Sequence, residues 1–197
     1  MPKHPFEPLI FQETKKIIIG TLPPETATFY FSNSSNTRLW DMLRTIREQR
    51  MGIYSGSNNL TAAEKIEILR DLNLGIADII LEYERDIPNS TRDVDIDPKK
   101  YRSLIEIVRS NIEITHLLFV YESAYKWFLH SLNKEIPVRI SSLSGRFSIG
   151  IQNEIQVNED TIQCIILPSP LNRGRRGETL NFKIDYYKQY ISPKTTT

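Results

Sequence analysis

Residues 15–43, KKIIIGTLPPETATFYFSNSSNTRLWDML, hold the pattern that decides the fold. The apolar run Ile17-Ile18-Ile19 stops at Gly20 and is followed by Thr21-Leu22-Pro23-Pro24. A β-branched run ended by Gly and Pro reads as a buried strand entering a loop. Three adjacent aromatics follow, Phe29-Tyr30-Phe31, then the polar cluster Ser32-Asn33-Ser34-Ser35-Asn36, and a helical pattern starts at Thr37. In an open α/β sheet the loop after such a strand lies at the carboxyl edge, where ligands bind. A loop carrying aromatic faces and amides suits a flat heterocycle, which makes it the first place to look for function.

Outward from that stretch, strands and helices alternate. Leu39, Trp40, Leu43 and Ile46 predict a helix over Thr37 to Glu48. Thr61-Ala62-Ala63-Glu64 is a capping box opening a second helix, expected to run to about Leu74 and stop at Gly75. Ile76 to Leu81 reads as a strand with Asp78 as its one polar interruption, and Asp97-Pro98 as the start of a third helix burying Tyr101, Leu104, Ile105 and Val108. His116 to Tyr121 is a strongly apolar strand, followed by a helix over Glu122 to Leu132. Val138 to Val157 reads as short extended pieces, with a hairpin among them. Gln163 to Leu167 is the last buried strand, and a final helix spans about Glu178 to Ile191. Pro2, Pro5 and Pro8 make residues 1–14 an extended lead-in, and residues 192–197 are expected to fray. This alternation predicts an α/β fold with a mostly parallel four-stranded sheet covered on both faces. Right-handed crossovers then put the loops after the first and last strands on one edge of the sheet, facing each other across a cleft.

At 197 residues the chain is expected to form a single domain over 1–197 with a full hydrophobic core. A net charge of +1 gives no global signal for nucleic acid, so any basic surface must be local. The lone cysteine, Cys164, lies in the apolar run Ile162 to Leu167 and reads as a reduced core thiol. One cysteine excludes an internal disulfide, a zinc knuckle and a cluster held by this chain alone. No apolar run reaches membrane-spanning length and MPKHPFEPLIF lacks a signal-peptide pattern, so a soluble, cytoplasmic protein is expected.

Each candidate residue has a plain structural account beside the functional one. Phe29, Tyr30 and Phe31 can stack on a base, or plug the loop onto the core, which their spacing favours. Asn33 and Asn36 can hydrogen-bond a polar ring edge, while Asn36 is also well placed to cap the helix at Thr37. PSPLNRGRRG, residues 168–177, carries Arg173, Arg175 and Arg176 with Ser169, Asn172 and loop glycines. Such a loop can grip phosphates, and a solvated basic turn explains it equally well. Leu171, at the expected tip, can wedge into a base stack or contact the core. His4, His116 and His130 are far apart with no metal-ligand pairing, and Ser57, Ser123 and Ser169 lack a nucleophile-elbow context. Glu82, Glu84 and Asp86 offer carboxylates after the second strand, where an acidic strand end is usually solvated.

Taken together the two loops resemble the uracil-DNA glycosylase superfamily. HPFEPLIF and KKIIIGTLPP followed by FYFSNSSNTRLW are similar to its first motif region, nearest to the hypoxanthine-DNA and mismatch-specific branches. LPSPLNRGRRG is similar to the second motif, and NLGIADII to a G-I-x-D strand of these enzymes. The resemblance runs from about His4 to Ile191. It implies a three-layer α/β/α domain that binds DNA containing a damaged or mismatched base, flips that nucleotide out and cleaves its N-glycosidic bond, as a monomer without metal or cofactor. It places Gly20, Thr21, Leu22 and Pro23 against the base, Phe31 or Tyr30 stacked on it, and Asn36 at the position treated as catalytic in the hypoxanthine branch. Ser169 and Pro170 match the second-motif turn, Leu171 the intercalating residue, and Asn172, Arg173, Arg175 and Arg176 the DNA-facing loop.

Three departures accompany the match. Leu22 stands where the uracil and mismatch branches place a water-activating Asp or Asn, and Leu167 where the uracil branch has a histidine that stabilises the leaving base. The spacing from Asn36 to Trp40 is one residue longer than the hypoxanthine pattern, so Asn33 is the alternative catalytic amide. An amide does not usefully titrate, so either Asn would orient water or bind the substrate rather than act as a base.

Overall fold

The computed structural model describes residues 1–32, 37–54, 59–88, 90, 92–135, 148–172 and 178–192. The parallel sheet is built from β1 (Lys16–Gly20), β2 (Leu74–Asp78), β5 (His116–Phe119) and β7 (Asp160–Ile166). A fifth strand, β6 (Gly150–Val157), pairs antiparallel with β7, giving the order β2-β1-β5-β7-β6. The four expected parallel strands are present, and the four-stranded sheet is corrected to five among the described residues. The strand β6 escapes a simple hydrophobic reading because it is an edge: Ile155 and Val157 turn inward while Ile151 is half exposed, and a bulge between Ile151 and Asn153 breaks the alternation. The hairpin expected within 138–157 is corrected over its described part: residues 150–157 form the single strand β6, which turns at Asn158-Glu159 into β7, and residues 138–147 lie outside the described residues.

The sheet is covered on both faces, which explains why its central strands read as continuous apolar runs. Ile18, Leu118 and Ile165 pack against α1 (Leu39–Met51), α2 (Ala62–Asp71) and α5 (Leu180–Ile191). Ile17, Ile19, Leu117 and Phe119 face α3 (Leu104–Arg109) and α4 (Glu122–Glu135). The strands alternate sides every residue, so neighbouring isoleucines of β1 serve opposite layers.

Local signals placed some boundaries and misled at others. The capping box holds: Thr61 Oγ1 accepts from Glu64 N while the Glu64 carboxylate accepts from Thr61 N. Gly75 does not end α2. Asn73 takes the left-handed conformation there (φ 55°), and Gly75 lies in β2, where a Cβ would come within 2.9 Å of Leu9 O in the extended lead-in. The second strand ends at Asp78 rather than Leu81, and Ile80–Arg85 forms β3 of a separate two-stranded ribbon. Asp97-Pro98 opens no helix; it lies in β4 (Ile96–Tyr101), antiparallel to β3. Proline is tolerated in such an edge ribbon, and the true cap of α3 is Ser103, whose Oγ accepts from Glu106 N. The first helix starts at Leu39, behind Arg38 and without a side-chain cap.

Candidate functional site at the carboxyl edge of the sheet

From neighbouring strands β1 and β5 the chain leaves toward opposite faces of the sheet. The loop after β1 leads to α1 on one side, and β5 leads to α4 on the other. Such a switch point opens a crevice outside the strand ends. Val120 and Tyr121, just after β5, and Leu167 to Ser169, just after β7, line a cavity there, while Gly20 and Thr21 close the end of β1 beside it.

Gly20 is glycine for lack of room. A Cβ there would lie 2.2 Å from Asp78 Oδ1 and 2.7 Å from Phe31 Cζ. Asp78, at the end of β2, is buried, and its Oδ2 lies 2.9 Å from Nε2 of the buried His4. The lead-in supplies that histidine and is anchored by His4 N donating to Leu81 O and Leu9 N to Ile76 O. Gly20 O and Thr21 O accept from Ile79 N and Ile80 N, while Pro23 O accepts from Arg85 Nη2 of β3. The carbonyls of the first loop are thus largely committed inside the protein.

The aromatic trio divides between core and cleft. Tyr30 is 1% exposed, stacks near His4 and donates its hydroxyl to Glu7 O. The expectation of Tyr30 as a stacking surface is corrected: its ring lies in the core, and its carbonyl is fixed by Trp40 Nε1 at 2.8 Å. Phe31 is partly exposed and lies over Gly20, with its ring stacked on Tyr121 at 6.3 Å between centroids. Its backbone is left-handed (φ 51°), uncommon for a non-glycine residue. Leu22 packs against the core cluster on the α3/α4 face.

The second loop is pinned from three sides. Arg38 N donates to Pro170 O at 2.7 Å, and Thr37 and Leu171 form a β-bridge, so the two loops singled out from sequence meet. Buried Tyr187 donates to Pro168 O, and buried Lys183 Nζ to Leu171 O, both from α5. Asn172 Oδ1 accepts from Arg38 Nε. With its backbone held, Leu171 keeps its side chain 36% exposed. Asn33, Asn36, Arg173, Arg175 and Arg176 lie outside the described residues.

Beside these loops lies a cavity of about 430 Å³. Its walls include Tyr121, Glu122, Ser123, Leu167, Ser169 and Glu178. Behind Ser123 stands Asp93, on a 3-10 turn (Asp93–Asp95) between β3 and β4. Its carboxylate accepts from Ser123 Oγ and from the Thr21 hydroxyl. Burial raises its proton affinity, the hydrogen bonds from Ser123 and Thr21 oppose that, nearby Asp78 adds to it, and Arg85 offsets part. Burial, then the charges of Asp93 and Asp78, push the Tyr121 phenol well above its ordinary value, so it remains a neutral donor.

Of the residues packed around this edge, Asp93, Tyr121 and Lys183 carry no signal in the sequence, His4 and Ser123 are weighed there and set aside, and Asp78 shows as the single carboxylate of an apolar strand. Glu82 and Glu84 stand on the ribbon, with Glu84 paired to Lys99 at 3.0 Å. Among the described residues no three His, Cys, Asp or Glu side chains group as metal ligands, and no helix is long and apolar enough to cross a membrane.

No protein-family model matches the chain, and no curated protein matches it in sequence. Among solved structures the chain is similar to the solution NMR structure of a "putative Uracil DNA glycosylase from Methanosarcina acetivorans", with a TM-score of 0.57 and 14% identity over 93% of each chain. At that identity the likeness is one of fold: a mixed α/β architecture with a mostly parallel central sheet.

Proposed function

We propose that the protein is a metal-independent, monofunctional DNA glycosylase that flips out a deaminated base, uracil or hypoxanthine, and hydrolyses its N-glycosidic bond. The observation that carries this reading is the Thr37–Leu171 bridge, which joins the two loops resembling glycosylase motifs beside a cavity at the switch point. The shared fold with a structure described as that of a putative uracil DNA glycosylase supports it. A base inside a duplex must leave the stack before its glycosidic bond can be reached. In this reading Leu171, its backbone fixed by Lys183 and Arg38, fills the vacated space, and Arg173, Arg175 and Arg176 hold the phosphates. In this reading the extruded base stacks on the partly exposed Phe31 ring, beside Tyr121. Asn33 or Asn36 then hydrogen-bonds the base or the attacking water. A cavity of about 430 Å³ falls in the usual range for small-ligand sites, ~300–1,000 Å³.

The test is an end-labelled oligonucleotide carrying uracil or hypoxanthine, incubated with the protein and scored for alkali-labile abasic sites. Release above background supports the reading; none from either base, with folded protein, refutes it. Leu22, turned into the core where related enzymes carry a polar group, favours a second reading in which the protein binds lesion DNA without cleaving it. Tight, salt-dependent binding without turnover, unchanged in Asn36→Ala, would select that one.

A further inference from the structure

We propose that Asp93 is the positioning carboxylate of this site, holding the cavity-lining Ser123 hydroxyl against the attacking water and taking up the water's proton through it. The inference rests on the glycosylase reading and supplies what the first motif lacks. Leu22 puts no polar atom where that motif would place one. The structure instead brings a carboxylate from the far end of the β3–β4 ribbon. Asp93 joins the two strands of the switch point, accepting from Thr21 just after β1 and from Ser123 just after β5. Ser123 lines the cavity, so the carboxylate stands one hydrogen bond behind the cavity wall.

The groups around Asp93 make it a stronger base than a solvated aspartate. Asp78 faces it from the end of β2, Arg85 from β3, Thr21 from the first loop, and Tyr121 and Ser123 from the start of α4. On its own turn Arg92 and Asp95 pair with each other at 3.9 Å. Burial raises the proton affinity of Asp93 while two donated hydrogen bonds keep the ionised form accessible, which makes it a stronger proton acceptor than a solvated carboxylate. The C1′–N bond breaks with its electron pair leaving on the base, and the water oxygen bonds to C1′. One water proton passes to Ser123 Oγ as the Ser123 hydroxyl proton passes to Asp93, and the proton returns by the same path and through solvent to the departed base, which regenerates the carboxylate. No oxidant, reductant or further reactant is required.

The experiment compares single-turnover base release by wild type, Asp93→Asn and Ser123→Ala across pH, with lesion-DNA binding and urea unfolding measured in parallel. Asp93→Asn is expected to lose about 10²–10⁴-fold in rate while still binding lesion DNA, and to lose the acid limb of the pH profile. Removing the Ser123 hydroxyl cuts the link between Asp93 and the cavity and takes a hydrogen bond from the ionised form, so the rate should fall and the acid limb of the remaining activity should move to higher pH. An active wild type with Asp93→Asn within a few-fold of it overturns this proposal and leaves the glycosylase reading standing. A wild type that releases no base refutes the glycosylase reading and this proposal with it. If Asp93→Asn does not fold, Ser123→Ala decides, and an unmoved acid limb overturns the proposal.

Discussion

Adding one methyl group at Gly20 tests whether the floor of the cleft is as tightly packed as the structure shows. In Gly20→Ala the new Cβ lies 2.2 Å from Asp78 Oδ1 and 2.7 Å from Phe31 Cζ. Restoring ordinary contact to the carboxylate requires Oδ1 to move about 1.2 Å. A rotation of that size swings Oδ2 by a similar amount and takes it out of hydrogen-bond range of His4 Nε2, now at 2.9 Å. Overpacking of this kind costs about 1–3 kcal/mol, and a lost hydrogen bond to a charged group about 1.5–3 kcal/mol. With partial relaxation the expected destabilisation is ~2–5 kcal/mol, or roughly 4–20 °C in Tm for a chain of this length.

The assay is urea unfolding of a double-mutant cycle. In an Asp78→Ala background the 2.2 Å clash has no partner, so Gly20→Ala should cost at least about 1 kcal/mol less there than in wild type. The Phe31 contact at 2.7 Å persists in both backgrounds and sets the residual cost. A Gly20→Ala protein within about 0.5 kcal/mol of wild type would refute the reasoning. So would an equal cost in both backgrounds, because it would show that the carboxylate is not what the glycine makes room for.

The remaining predictions concern the second loop and the opposite end of the sheet. Tyr187→Phe removes the buried donor to Pro168 O and should lower stability by about 1–2 kcal/mol in urea; an unchanged midpoint would mean that the loop carries its own weight. Lys183→Met withdraws the ammonium from Leu171 O, and should cost about 1–3 kcal/mol and raise the B-factors or amide exchange of residues 168–172 in particular. Burial, then the charge of Lys16, pushes the His116 imidazole from the ordinary 6.5 down to about 4. The unfolded chain therefore binds this proton first, so the stability is intact above pH 6.5 and is lost as pH falls from 6.5 toward 4. Discounted for partial exposure, that is about 1–2 kcal/mol, read as the change with pH in the stability difference between wild type and His116→Gln. A difference that stays flat over that range would refute it.

The sheet was legible because burial on both faces leaves an unbroken apolar run, and the runs at 17–19, 117–119 and 164–166 each supply one central strand. The capping box was legible because it is satisfied within four residues. What misled were signals whose meaning depends on distant partners. Pro98 starts helices in isolation, yet here it faces Tyr83 in a ribbon. Gly75 resembles a helix stop, yet its missing side chain makes way for Leu9 and Ile10 of the lead-in. The candidate site divides the same way. The two loops could be paired from sequence because both follow parallel strands and so share an edge. Nothing local ties His4 to Asp78, 74 residues away, or Asp93 to Ser123, 30 residues away.

The ribbon gives the long-range pairing at Asp93 a structural reason. Between β2 and β5 the chain must cross β1 on the α3/α4 face, so a turn on that crossing hangs over the carboxyl ends of both β1 and β5. The turn Asp93–Asp95 is placed this way, and the neighbouring strand β3 reaches back through Arg85 to Pro23 O. The first loop is therefore shaped by contacts from outside itself: Ile79 and Ile80 amides on two carbonyls, Arg85 on a third. A loop held this way can spend Leu22 on the core without giving up its geometry. In the proposed reading the polar function lies on the crossing, where Asp93 accepts from Thr21 and Ser123 beside the same switch point. In that reading the apolar Leu22 of the first loop and the buried acid on the crossing are two halves of one arrangement. This is why the Asp93→Asn and Ser123→Ala profiles, rather than substitution of Leu22, distinguish a working site from a vestigial one.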